Sequence, residues 1–284
     1  MKCAWKELLG ILPLWMRKEV DRFRSNQLLE IRLRLNSCPE LRMKEKSSWL
    51  DRKISREDIQ HTINLACRYS PWSVGSVAQG YITVMGGHRI GICGETVFRQ
   101  GAVSGYREYS SVCIRIARDH SGIADGLERV QGSVLIIGPP GWGKTTLLRD
   151  LIRKISVREY VSVVDERGEL FPFGFEKGER TDVLSGCSKQ NGISMLIRTM
   201  GPSYIAVDEI TAPEDTDAIV HAAYCGVKFL ATAHGESVSE FCNRSTYRKL
   251  LENRIFDTVV ILHRDWSYTV ERMNKWVSDG LARC

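Results

Sequence analysis

Ser133–Leu151 reads SVLIIGPPGWGKTTLLRDL, and this stretch decides the fold. Four apolar residues, Val134 to Ile137, are long enough to end a buried strand. The Gly/Pro-rich turn after them runs straight into a leucine-rich, helix-forming segment. The order strand, turn, helix is the context in which Gly138-Pro139-Pro140-Gly141-Trp142-Gly143-Lys144-Thr145-Thr146 becomes a phosphate loop of the pattern G-x-x-x-x-G-K-T. Gly138, Gly141 and Gly143 let backbone N–H groups close around phosphate oxygens, and the helix N-terminus adds its partial positive charge. Lys144 can neutralise β- and γ-phosphates, and the Thr145 hydroxyl can ligate Mg²⁺.

Downstream, apolar runs alternate with helical stretches. Tyr160 to Val164 is a predicted strand ending in Asp165-Glu166-Arg167, and Tyr204 to Val207 is another ending in Asp208-Glu209. Val227 to Ala231 is closed by Thr232-Ala233-His234-Gly235, Ile255 to Leu262 adds one more strand, and Met195 to Met200 reads as a short helix. This alternation predicts an α/β fold with a twisted, mostly parallel sheet and helices on both faces. Acidic residues at the carboxyl ends of such strands face the crevice where ligands sit. Phosphoanhydride hydrolysis needs a phosphate cradle, a metal-holding carboxylate and a group that activates water. Asp208 is placed to hold Mg²⁺ beside Thr145. Glu209 and Glu166 are both candidates for the base, and the sequence does not choose between them. His234, at a strand end, suits a γ-phosphate sensor.

The chain has 284 residues, 43% of them hydrophobic, enough for one large or two modest domains. Its net charge of +6 is dispersed, without a run of like charges that would mark a nucleic-acid arm. Nine cysteines, Cys284 the last, include no C-x-x-C pair, which argues against a zinc site or a disulfide framework and for buried thiols. No apolar run reaches the ~18 to 20 residues that span a bilayer, and Leu8 to Met16 reads as a short helix broken by Pro13. Leu29, Ile31, Leu33 and Leu35 alternate with charged residues as a strand with one buried face. Ser55 to Asp58 is a capping box opening a helix through Tyr69. Gly80 to Val84, the Gly86-Gly87 turn and Arg89 to Cys93 form a hairpin, and Val112 to Ala117 a further strand. Residues 1–125 therefore read as a small N-terminal α+β domain, Ser121 to Arg129 as a linker, and 126–284 as the nucleotide domain.

With these segments in place, the chain resembles the stage III sporulation protein AA family, which is similar to the ATPases of type II secretion and type IV pili. The resemblance covers almost the whole chain. It rests on EIRLR (Glu30 to Arg34), GYITVMGGHRIG (Gly80 to Gly91), IRIAR (Ile114 to Arg118), the phosphate loop, VVDER, TDVL, MLIRTM, VDEI and ATAHG. The chain departs from the pattern at Ser37-Cys38, where a basic residue is expected before Pro39, and at Thr211, where a glycine usually follows DEI. The resemblance implies a RecA-like P-loop NTPase core, with Asp165-Glu166-Arg167 as the acidic box that supplies the catalytic carboxylate, Asp208-Glu209 as Walker B and His234 as the histidine box. It further implies an ATP- and Mg²⁺-dependent motor, cytoplasmic and peripheral to a membrane, assembled as a homo-hexameric ring. Such a motor docks on the mother-cell side of the forespore membrane and energises the membrane-embedded channel proteins of the sporulation apparatus. In such a ring an arginine supplied in trans would stabilise the γ-phosphoryl charge. Arg115 is the first candidate, with Arg118 and Arg198 beside it.

Two other readings fit less of the sequence. LSGCSKQ at Leu184 to Gln190 resembles the signature loop of ABC-type ATPases. It follows Lys144 by only about 40 residues, too few for the helical subdomain that carries that loop, and Cys187 stands where a glycine must approach phosphate. An ATP-dependent nucleic-acid-binding protein draws support from the basic balance and the Gly86-Gly87-His88-Arg89 turn. It lacks basic residues interleaved with aromatic stacking platforms, so nucleic acid is not the expected partner.

Overall fold

The structure, a computed structural model, describes residues 3–23, 27–68, 77–99, 101–127, 129–172 and 174–273. The predicted helix end at Tyr69 and the last cysteine, Cys284, lie outside these residues. The chain divides into two compact units: Met1–Asp119 with Pro172–Phe175, and His120–Phe171 with Glu176–Cys284.

In the first unit α1 (Trp5–Ile11) and α2 (Leu14–Asp21) flank Pro13, whose fixed φ ends one helix and starts the next. A six-stranded sheet follows, built from β1 (Leu28–Arg34), β2 (Glu40–Met43), β3 (Ser47–Trp49), β4 (Tyr81–Thr83), β5 (Arg89–Arg99) and β6 (Ala102–Arg115), in the order β3-β2-β1-β6-β5-β4. Leu28, Ile31 and Leu33 of β1 are buried, whereas Leu29, expected on the inner face, is 41% exposed. A register shift between Leu28 and Glu30 swaps the two leucines between faces. The helix α3 (Arg56–Arg68) starts at the predicted capping box: Asp58 N–H donates to Ser55 Oγ at 3.2 Å, and Ser55 N–H donates to Asp58 Oδ2 at 3.0 Å. Such a cap contributes about 1 kcal/mol. Gly86 and Gly87 take φ of 81° and 76° in the turn before β5.

His88 is wholly buried in this unit. Its Nδ1 accepts from Ala117 N–H at 3.1 Å, so Nε2 carries the proton and donates to the Ala4 carbonyl at 2.9 Å. Burial pushes its pKa down, partly offset by the bond to Ala4. On acidification the unfolded chain therefore takes up the extra proton first. The stability is intact above the ordinary histidine value of about 6.5 and is lost as pH falls from there toward the lower folded value. The thermal midpoint should drop between about pH 7.5 and about pH 5.5, and His88→Gln should flatten that drop; equal slopes in the two proteins would contradict it.

The second unit is organised by β7 (Val134–Ile137), whose four residues are all buried. Leu135 and Ile137 belong to one apolar cluster, Val134 and Ile136 to another, so the strand lies between two cores. Around it stand β8 (Val161–Asp165), β9 (Thr181–Ser185), β10 (Tyr204–Val207), β11 (Lys228–Ala233), β12 (Thr258–Leu262) and β13 (Tyr268–Arg272), in the order β13-β12-β7-β11-β10-β8-β9. Every pairing is parallel except β12 with β13. The helices are α4 (Lys144–Ser156), α5 (Lys189–Thr199), α6 (Pro213–Tyr224), α7 (Val238–Asn243) and α8 (Arg248–Glu252). Predicted from Met195, α5 in fact begins six residues earlier, where Ser188 Oγ accepts from Asn191 N–H. Its first turn contains Gly192, which a helical reading disfavours. Any Cβ there would come within 2.6 Å of Val164, so the glycine lets the helix lie close against β8.

Candidate active site

Directly after β7 the chain turns through Gly141 and Gly143 at φ of 79° and 95°, and Gly143 caps α4. No heavy atom lies within 4 Å of a Cβ built at either glycine, so the loop is an open cradle with Lys144 and Thr145 as the first residues of the helix. Lys144 is 7% exposed and donates to the carbonyls of Gly138 at 2.8 Å and Pro139 at 3.0 Å. Its third partner is His234 Nδ1 at 3.0 Å. Burial pushes the Lys144 ammonium down in pKa, and the carboxylates of Asp208 and Glu209 pull it back.

The parallel pairing of β10 with β11 sets their carboxyl ends side by side. Asp208, following β10, accepts from Thr145 Oγ1 at 2.7 Å on Oδ2 and from Thr232 Oγ1 at 2.6 Å on Oδ1. Thr232 Oγ1 in turn accepts from Glu209 N–H at 2.7 Å. Glu209 takes φ of 52°, a left-handed conformation that costs energy in a non-glycine residue and collects at functional sites. Because Lys144 donates to Nδ1, His234 holds its proton on Nε2, which donates to Glu209 Oε1 at 2.8 Å. A chain of contacts thus runs from Lys144 through His234 to Glu209. Arg167 stands 3.7 Å from the other Glu209 oxygen.

Glu166 lies in a neighbouring cluster. Its carboxylate pairs at 2.7 Å with Lys189, whose side chain is only 8% exposed and also lies 3.6 Å from Asp215. Asp215 accepts from the backbone N–H groups of Thr211 and Ala212 just before α6. Asp165 is buried and accepts from the N–H groups of Glu169, Leu170 and Phe171. Burial raises its pKa and those three bonds oppose the rise. A pocket of about 20 Å³, room for about one water, is lined by Glu166, Arg167, Lys189, Asp208 and Glu209.

The structure therefore brings together the loop Gly138–Thr145, Asp208, Glu209 and His234, with Glu166 beside them across the small pocket. Arg115 lies on β6 of the first unit, 72% exposed at its side chain and 3.9 Å from Glu30. Arg118, in the same unit, donates to the Leu28 carbonyl, and Arg198 is exposed on α5. Sequence reasoning gave no role to Thr232, Lys189 or Asp215. For Thr232 the strand-end motif TAHG held the signal; for the other two, sequence distance hid the partnership.

The donor set fits a Mg-nucleotide. Among the described residues no three His, Cys, Asp or Glu side chains could hold a metal ion by themselves. Mg²⁺ commonly keeps several waters and takes one or two protein oxygens plus phosphates, which Thr145 and Asp208 match. When bound it would neutralise charge on the β- and γ-phosphate oxygens.

Comparison with known proteins follows the same lines. Stage III sporulation protein AA of Bacillus subtilis (strain 168) is 37% identical over 279 residues, covering 91% of each chain. Among solved structures, the pilus retraction motor PilT with bound ADP superposes with a TM-score of 0.64 at 14% identity, covering 100% of this chain and 88% of that one. The ATPase DotB of Legionella pneumophila gives 0.60 at 16% identity, covering 96% and 84%. These likenesses show a RecA-like P-loop NTPase core with a smaller N-terminal α+β domain. Among the described residues no helix is long and apolar enough to cross a membrane. The family profile described as sporulation stage III, protein AA, matches residues 4–270, and the chain belongs to that family.

Proposed function

We propose that the chain is a Mg²⁺-dependent ATPase motor that energises a secretion-like channel during endospore formation, working as a ring at the membrane. The observation that carries this reading is the convergence on one phosphate loop of a metal-side pair, Thr145 with Asp208, and a sensor-side chain, Lys144–His234–Glu209. In it, the loop N–H groups and Lys144 hold the phosphates, and Asp208, fixed by Thr232, orients the metal side. A phosphate arriving at Lys144 competes with His234 for the ammonium, so His234 can report the γ-phosphate to Glu209. Membership of the sporulation family and likeness to a pilus retraction motor and the ATPase DotB support the motor role, and the ring and its channel partners are part of the same proposal.

The test is phosphate release from ATP by the purified chain, which should require Mg²⁺ and stop with EDTA. Thr232→Val removes the hydroxyl that orients Asp208 and should raise the Mg²⁺ needed for half-maximal rate by about 10- to 100-fold, as loss of an outer partner of a metal ligand does. Metal-independent turnover would overturn the reading.

A further inference from the structure

Lys189 stands against two preferences at once. It is the first residue of α5, at the positive end of the helix dipole, and its side chain is only 8% exposed. Its place is fixed by its neighbours: Ser188 caps the helix, and Gly192 lets α5 lie close against Val164 of β8. Buried there, the ammonium lies 2.7 Å from Glu166 Oε2 and 3.6 Å from Asp215 Oδ2. Taking the cation out of such a group leaves buried negative charge uncompensated.

One of those two carboxylates holds the loop that carries Glu209. Glu209 N–H donates to Thr232 Oγ1 at 2.7 Å, and Ile210 N–H donates to the Thr232 carbonyl at 2.8 Å. The next two N–H groups, of Thr211 and Ala212, donate to Asp215 Oδ2 at 3.1 and 3.2 Å. Four successive N–H groups are thus anchored at two residues. The left-handed φ of 52° at Glu209 persists because both anchors hold the backbone around it. Thr232 is a neutral anchor inside β11. Asp215 is a carboxylate with a side chain 10% exposed, so its anchor needs a counter-charge, and Lys189 is the cation beside it.

We propose that Lys189 is a positioning residue for Glu209. By neutralising Asp215 it keeps the Glu209–Ala212 loop closed, and by holding Glu166 with the same ammonium it sets that loop against the end of β8. The one-water pocket is lined by Glu166, Lys189 and Glu209 together. Without the ammonium, Asp215 turns toward water and releases the N–H groups of Thr211 and Ala212. Glu209 then leaves its strained conformation, and its carboxylate shifts at the pocket. A misplacement of about 1 Å costs about 10²-fold in rate, while the phosphate loop after β7 keeps its own contacts.

The proposal rests on the reading of the chain as an ATPase with Glu209 as the water-activating carboxylate, and the test keeps the two apart. Mg²⁺-dependent ATP hydrolysis, ADP affinity by calorimetry and the thermal midpoint are measured on the full chain. The proteins compared are the wild type, Glu209→Gln, Lys189→Met, Asp215→Asn and the double variant Lys189→Met with Asp215→Asn. Lys189→Met should lower kcat by about 10- to 100-fold, with KM for ATP and the affinity for ADP within about threefold of wild type. Asparagine at 215 still accepts from the two N–H groups but carries no charge, so adding Lys189→Met to Asp215→Asn should cost less than about threefold. The same fold-loss in both backgrounds would mean that Lys189 does not act through Asp215, and overturns the proposal. So does a fall in ADP affinity that matches the fall in kcat, or a lower thermal midpoint with normal kcat, since a merely structural lysine gives either. Lys189→Gln, uncharged but able to donate to both carboxylates, takes the place of Lys189→Met should that variant not fold. A wild type that does not hydrolyse ATP, or a Glu209→Gln variant that turns over normally, removes the underlying reading and the proposal with it.

Discussion

Glu209→Gln should lower ATP turnover by roughly 10²- to 10⁴-fold while ADP still binds, because the amide keeps the shape and can still accept from His234 but cannot take a proton. Family resemblance assigns the catalytic carboxylate to the box holding Glu166, and both glutamates line the one-water pocket. Their partners differ. Glu166 faces a lysine that is 8% exposed, at 2.7 Å, and that lysine also ties it toward Asp215 and the start of α6. Only Oε2 of Glu166 meets the ammonium, so what separates the two glutamates is the network to which each belongs. Glu209 is joined instead to His234 and through it to Lys144, the proposed phosphate ligand, and it sits on a strained backbone at φ of 52°. Strain held in place at a pocket is a mark of a working residue. Glu166→Gln, which preserves an acceptor for Lys189, should therefore cost less than about tenfold. The reverse order of effects would give the role to Glu166, and near-normal turnover in both variants would remove the carboxylate mechanism.

Much of this arrangement is legible from the chain because local chemistry coincides with tertiary demand. Val134–Ile137 and Tyr204–Val207 match the predicted strands residue for residue, since strands buried on both faces must be continuously apolar. The capping box at Ser55 is likewise local. Other features depend on partners far away in sequence. The outer parts of β5 and β6 carry no strand pattern in the sequence, because residues such as Thr96 to Arg99 lie mostly in solvent and show no alternation. Helix α6 announces itself only through Pro213 and a mildly polar sequence, and its N-terminus is fixed by Asp215, held in turn by Lys189. At the site the residue types name the chemistry, whereas the proposed choice of Glu209 over Glu166 turns on hydrogen-bond partners that the sequence does not show.

Arg115→Ala should reduce turnover by about 10³- to 10⁵-fold if, as we propose, an arginine from the N-terminal domain of one subunit completes the site of its neighbour. The charge that builds on the γ-phosphoryl oxygens in the transition state exceeds what Lys144 neutralises in the ground state, so a further cation is the natural complement. Of the candidates, Arg118 is half-buried and bonded to the Leu28 carbonyl within its own unit. Arg115 is 72% exposed, and its 3.9 Å approach to Glu30 is a loose one, since Glu30 pairs more closely with Arg32. Glu30 is buried but keeps Arg32 as its closer partner, so Arg115→Ala should leave the fold intact. Arg167, 58% exposed and 3.7 Å from Glu209, is the cation already present in the same chain, and it makes the cis alternative concrete. Mixing decides between them. Lys144→Ala subunits lack the phosphate-holding ammonium but carry Arg115, and Arg115→Ala subunits carry Lys144, so each is inactive alone. If Arg115 acts in trans, some interfaces in a mixed ring join an intact Lys144 to an intact Arg115, and activity returns. A mixture as inactive as its components, under conditions where the wild type forms rings, removes Arg115 and leaves Arg167 as the residue to replace next.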